Sequence, residues 1–191
     1  MKSQRCSKAD LLILRLVSHS LSHFATPYMD RYLALEIRTG TNHHLHRAAT
    51  TISTPYMKSN SSLLLLNRLL AIGTPVNQRD ENGETALHVA ARHGYLEGLH
   101  RLLTNGAQVD ATSAHGWTPL HLACRYGCVR ATRVLLDFGA GVNRRGFHGW
   151  TALHYAVRGG YKDCVRVLLR YGADAGCCDN DGLTPGVGAF C

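Results

Sequence analysis

Hydrophobic positions in the second half of this chain fall in short clusters that return at a fixed interval. Leu99, Leu102 and Leu103 share one helical face, and Val134, Leu135, Leu136 and then Val167, Leu168, Leu169 repeat the cluster. Spacing of three to four residues between apolar positions predicts an amphipathic helix. Ahead of each cluster stands a second apolar segment, "TALHVAARHG", "TPLHLACRYG" and "TALHYAVRGG". Each reads as a short first helix, about 86–93 in the first copy, ending at Gly94. Thr85, Thr118 and Thr151 precede these runs and can accept a bond from a free N–H of the first turn, the work of an N-cap. Pro119 fits the first helical position, where its missing N–H costs nothing. The second helix starts near Leu96 and stops at Gly106, Gly139 or Gly172, residues free to take φ > 0 and turn the chain out of the helix.

The interval is 33 residues: Gly83, Gly116, Gly149 and Gly182 form one ladder, and Gly73, Gly106, Gly139 and Gly172 a second. One supersecondary unit is therefore copied in tandem, completely over 80–112, 113–145 and 146–178. Helices of about two turns are marginal alone. Ala90, Ala123 and Ala156 are small enough to let helices of adjacent units approach and share one apolar layer, so stability becomes a sum of unit and interface terms. The 33-residue period with T-P-L-H-x-A at Thr118–Ala123 resembles the ankyrin repeat. That resemblance implies an all-α solenoid of stacked helix-turn-helix units joined by β-turn or hairpin loops.

The flanks are less regular. "LLLLNRLLAIGTPVN" from Leu63 to Asn77 matches a second helix and exit turn, and "LHRAA" from Leu45 to Ala49 a first helix. With the polar stretch "TISTPYMKSNSS" inserted between them, residues 40–79 are expected to form a degenerate capping repeat. In the leader, residues 1–39, Leu11, Leu14, Val17, Leu21 and Phe24 line one face, which predicts an amphipathic helix over 11–24 docked on the first unit; a loose tail is the alternative. Residues 179–191 begin a fourth unit and abandon it, with Gly186 in the leucine position and Val187 in the histidine position. A solenoid normally ends in a polar-faced cap, so the third unit is expected to expose apolar surface here. The chain then reads either as a shortened form of a longer protein or as one that hides this face in a partner.

Composition changes this picture little. At 191 residues and 45% hydrophobic, the chain can bury a core. The formal net charge of +8 suggests nucleic acid until its distribution is examined. Residues 1–79 carry ten Lys and Arg against three acids, whereas residues 80–191 carry eleven against ten. The repeats are nearly neutral. Seven cysteines, an odd number, argue against a disulfide framework and for a reducing compartment, cytoplasmic or nuclear. The run "LLILRLV" is far shorter than the ~20 residues that span a bilayer. Residues 1–29 are rich in Ser and basic residues, a bias shared by organelle transit peptides.

Catalytic chemistry needs a nucleophile, a base and an orienting group in one pocket. His88, His121 and His154 are the obvious candidates, yet they recur with the repeat, as a capping group must and a catalytic group need not. Each lies three residues after its threonine, within reach of it. Zinc sites advertise C-x2-C or H-x3-H pairs; His43, His44, His46, Cys177, Cys178 and the Cys124/Cys128 pair do not supply that arrangement. Cys124 stands where Ala91 and Val157 stand in the neighbouring units, a small core position. No phosphate-cradling G-x4-G-K-[ST] occurs. The chain reads as a non-enzyme without cofactor or metal.

The family resemblance implies that inner helices and turn tips line a concave face where a partner protein binds. Carried onto this chain, the tips are Glu81, Asn82 and Glu84; Ala114, His115 and Trp117; and Phe147, His148 and Trp150. The ends of the inner helices add Arg92 and His93, Arg125 and Tyr126, and Arg158. Residues 33 apart form columns. Trp117 and Trp150 have no packing role in the repeat logic, so their joint replacement by alanine is expected to spare the helices and abolish capture, tryptophan being frequent among hot spots. Arg92, Arg125 and Arg158 form a basic stripe suited to an acidic segment of a partner. The expected role is adaptor, substrate receptor or inhibitor. The alternative is a nucleic-acid-associated regulator using the basic leader, although its ten cations are scattered singly rather than clustered for phosphates. Partner identity and oligomeric state stay open.

Overall fold

A computed structural model describes residues 66, 67, 70, 71 and 73–186. The expected leader helix, the "LHRAA" half of the capping repeat and residues 187–191 lie outside these. Among the described residues Leu66, Asn67, Leu70 and Ala71 are helical, and six α-helices are bounded at both ends: α1 (Ala86–Arg92), α2 (Leu96–Thr104), α3 (Pro119–Arg125), α4 (Val129–Asp137), α5 (Ala152–Arg158) and α6 (Lys162–Arg170). One 3-10 turn covers Phe147–Gly149, and the described residues contain no strand. The fold is an all-α repeat, and the helix ends agree with the sequence reading to within a residue or two.

Each repeat is a first helix of seven residues and a second of nine. Neither could stand alone. They persist because α1, α3 and α5 pack in one row, α2, α4 and α6 in a second, here the outer row, and each first helix packs on the second helix of its own repeat. Ala90, Ala123 and Ala156 are fully buried in the first row, and Leu99, Leu135 and Leu168 in the second. Alanine in the first row sets close backbone approach; leucine in the second fills the space between rows. Leu66 is buried and Gly73 takes φ +79°, as an exit turn ahead of the first repeat requires. At Gly83 the reason for glycine is twofold: φ is +68°, and an added Cβ would lie 2.7 Å from the Ala114 nitrogen of the next tip.

Polar clamps at the exit loops join successive repeats. Asn77 donates through Nδ2 to the Gly106 carbonyl at 3.2 Å and accepts the Gln108 N–H at 2.8 Å. Asn143 does the same one stage later, to the Gly172 carbonyl at 3.2 Å and from the Asp174 N–H at 2.8 Å. Between them Asp110 accepts the Gly141 N–H at 3.1 Å and pairs with Arg144 at 3.2 Å. Asn77, Asp110 and Asn143 are 33 residues apart, and the next member of the column is Gly176, which has no side chain to continue it.

At the downstream end the fourth tip folds and docks. The Asn180 N–H bonds to the His148 carbonyl at 3.0 Å, and the Asp179 N–H to the Leu183 carbonyl at 2.9 Å. Val165, Val167 and Leu168 of the third repeat are buried, while Leu183 is 64% exposed and Leu169 36%. Among the described residues the exposed apolar side chains at this end are thus Leu183 of the fourth tip and Leu169 and Tyr171 of the third repeat.

Candidate functional site

Two ladders organise the face formed by the first-helix row and the turn tips. The inner ladder is histidine. In each repeat the backbone N–H of the capping threonine donates to the histidine Nδ1, at 3.1 Å for Thr85–His88, 3.0 Å for Thr118–His121 and 3.1 Å for Thr151–His154. With Nδ1 accepting, the proton sits on Nε2, which donates across to the next repeat: His88 to the Trp117 carbonyl at 2.9 Å, His121 to the Arg144 carbonyl at 2.9 Å, His154 to the Leu183 carbonyl at 3.2 Å. Burial lowers the pKa of His88 and of His121 to about 4, the carbonyl acceptors opposing only in part. His88 and His121 are thus neutral struts. Their second bond, to the following repeat, is not visible in the Thr–His spacing.

The outer ladder carries the candidate interface. At the tip position Glu84, Trp117, Trp150 and Leu183 succeed one another at 33 residues, and the last turn of the first helix offers Arg92, Arg125 and Arg158. Each arginine lies against the tip residue of its own repeat. Arg92 is paired with the carboxylate of Glu84. The guanidinium of Arg125 lies over the Trp117 ring, 4.7 Å from its centroid, and that of Arg158 over Trp150 at 4.9 Å. Such contacts attract the cation to the electron-rich ring face. A guanidinium stacked in this way keeps its N–H donors available for a further partner.

The indoles are held from beneath. Trp117 Nε1 donates to the Tyr155 hydroxyl of the next repeat at 2.9 Å, and its ring meets those of Phe147 and Tyr155 edge-on. Trp150 Nε1 donates to Asp179 Oδ2 at 3.1 Å, and its ring stacks on His154. Asp179 also accepts the Leu183 and Asp181 N–H groups, each at 2.9 Å. Those amides, the Leu183 N–H foremost, hold its carboxyl below the usual range.

These contacts correct two expectations. Trp117 and Trp150 are half-buried and each bonds to the following repeat, a packing role the repeat logic did not assign them. Glu84 is buried and committed to Arg92, and Arg92 is half-buried. Neither presents a free charge. The remaining predicted residues are placed on the surface: Glu81, Asn82, His93, His115, Arg125, His148 and Arg158 are exposed, Tyr126 is 50% exposed and Phe147 45%. His148 alone among non-glycine described residues has positive φ, +58°, and presents its carbonyl to the Asn180 N–H. Sequence reasoning missed Tyr155 and Asp179. Tyr155 was detectable, because its column holds Val89 and Leu122 and a hydroxyl in an apolar column calls for a partner.

Among the described residues no three His, Cys, Asp or Glu side chains come together as metal ligands, and no helix is long and apolar enough to cross a membrane. Cys124 is fully buried in contact with Thr132, and burial pushes its thiol far up. The family model of ankyrin repeats in three copies matches residues 45–146 and, again, 95–181. The chain belongs to the ankyrin-repeat family. No curated protein matches it. Ankyrin repeats are general protein–protein interaction modules.

Proposed function

We propose that the face built from α3, α5 and the tips of the second and third repeats docks a partner protein, and that the chain acts by binding rather than by catalysis, as an adaptor, substrate receptor or inhibitor. One observation carries the reading. Arg125 and Arg158 are stacked on tryptophans that are themselves locked to the next repeat, and exposed Tyr126 and Phe147 flank them. Rigid aromatic and arginine side chains are the composition of interface hot spots, since little freedom is lost when they are covered. Histidines that are buried, repeated with the period and bonded to the next repeat support structure rather than acid–base chemistry. The five described cysteines are all free, which favours a reducing compartment, cytoplasmic or nuclear.

Affinity capture with the full chain tests this reading, comparing the wild type with Arg125→Glu/Arg158→Glu and with Arg133→Glu on the outer row. A partner retained by the wild type and the outer-row variant but lost from the double variant is the expected result. Equal retention by all three would refute the assignment of the face.

A further inference from the structure

Resting on that docking reading, we infer that the surface takes an acidic segment in polyproline II conformation whose carboxylates lie three residues apart, one on Arg125 and one on Arg158.

Charge comes first. Three arginines recur at the same position, but Glu84 neutralises Arg92, whereas tryptophan replaces that glutamate at Arg125 and Arg158. Among the described residues no carboxylate reaches Arg125 or Arg158 within ion-pair distance. Two exposed guanidinium groups at equivalent positions of successive repeats therefore stand without an acidic partner, and a guanidinium can receive a carboxylate in bidentate fashion.

Spacing comes second. The arginines sit at equivalent ends of α3 and α5, which pack directly on each other, and packed helix axes are about 8–10 Å apart. A polyproline II chain rises about 3.1 Å per residue with three residues per turn, so every third side chain returns to the same side after about 9 Å. A β-strand returns a side chain to the same side after about 6.7 Å or 13 Å, and neither matches. Exposed Tyr126, which follows Arg125 in the chain, and exposed Phe147, edge-on to Trp117, offer aromatic surface suited to the apolar sides of such a helix.

The test titrates labelled synthetic peptides into the full-length protein. The probes are a proline-rich peptide with glutamates at positions i and i+3, its i/i+2 and i/i+4 counterparts, its glutamine analogue, an α-helical peptide with glutamates at i and i+7, and a random-sequence DNA duplex. We expect the i/i+3 peptide to bind at least about tenfold tighter than the other probes. Arg125→Gln or Arg158→Gln should each weaken it about tenfold, while Arg133→Gln leaves it unchanged. Circular dichroism melting of each variant confirms that the repeats remain folded. Equal binding across spacings, preference for the helical peptide or DNA, or indifference to both arginine substitutions overturns the inference. Absence of binding by every peptide also overturns it, and leaves the docking reading to the capture experiment, which uses no assumption about ligand conformation.

Discussion

The imidazole of His121 reaches the carbonyl of Arg144 at 2.9 Å while its other nitrogen accepts the Thr118 N–H. One side chain thus caps its own helix and ties it to the loop entering the third repeat. Replacing His121 by alanine removes the partner of the part-buried Arg144 carbonyl and of the buried Thr118 N–H, each costing about 1–3 kcal/mol at most. A loss of roughly 3 kcal/mol is expected from urea unfolding; a loss under about 1 kcal/mol would show the strut to be dispensable.

The same struts make the fold acid-sensitive. Well above pH 6.5 His88 and His121 are neutral whether folded or unfolded, so they impose no pH dependence there. As the pH falls from 6.5 toward about 4, the unfolded chain takes up protons that the folded chain refuses, and stability drops. Two such groups lower it by roughly 3 kcal/mol between pH 6.5 and 5. Urea midpoints measured across this range should decline with falling pH, and His121→Ala should flatten the slope.

The exit-loop clamp predicts a local effect. Asn143→Ala removes the bonds to Gly172 and Asp174, at a cost of about 1–2 kcal/mol. Because repeats interact only with their neighbours, hydrogen exchange should accelerate in α6 and stay unchanged in α2. Uniform acceleration would mean that the array opens as one unit.

Cysteine reactivity reports burial directly. In the native protein a thiol reagent should modify exposed Cys178 and spare Cys124 until denaturant is added, since Cys124 is sealed against Thr132 and its thiolate is disfavoured. Peptide mapping after brief labelling distinguishes the sites.

Much of this arrangement is legible in the chain because a repeat writes each structural role several times. The glycine ladders, the threonine caps and the alanine–leucine rows follow from turn geometry and helical period alone. The cross-repeat partners were harder to read, since the acceptors of His88, His121 and His154 are backbone carbonyls, which leave no trace in residue identity. The Asn77, Asp110 and Asn143 column was present at the right spacing and lay unread among loop residues. Trp117 and Trp150 were legible as surface aromatics but not as struts, because the Tyr155 hydroxyl and the Asp179 carboxylate approach from the following repeat. Glu84 misled for a related reason: at a turn tip a charged residue suggests solvent, and here Arg92 of the same repeat covers it.

The central claim is that binding occurs on the face of the second and third repeats and not behind it. Site-specific photo-crosslinking tests this most directly, with the crosslinker placed at Tyr126 on the proposed face or at Phe138 on the outer row, both side chains being exposed. A discrete protein adduct from position 126, absent from position 138 and suppressed by Arg125→Glu/Arg158→Glu, is the predicted result. Adducts from position 138 alone, or equally from both, would contradict it.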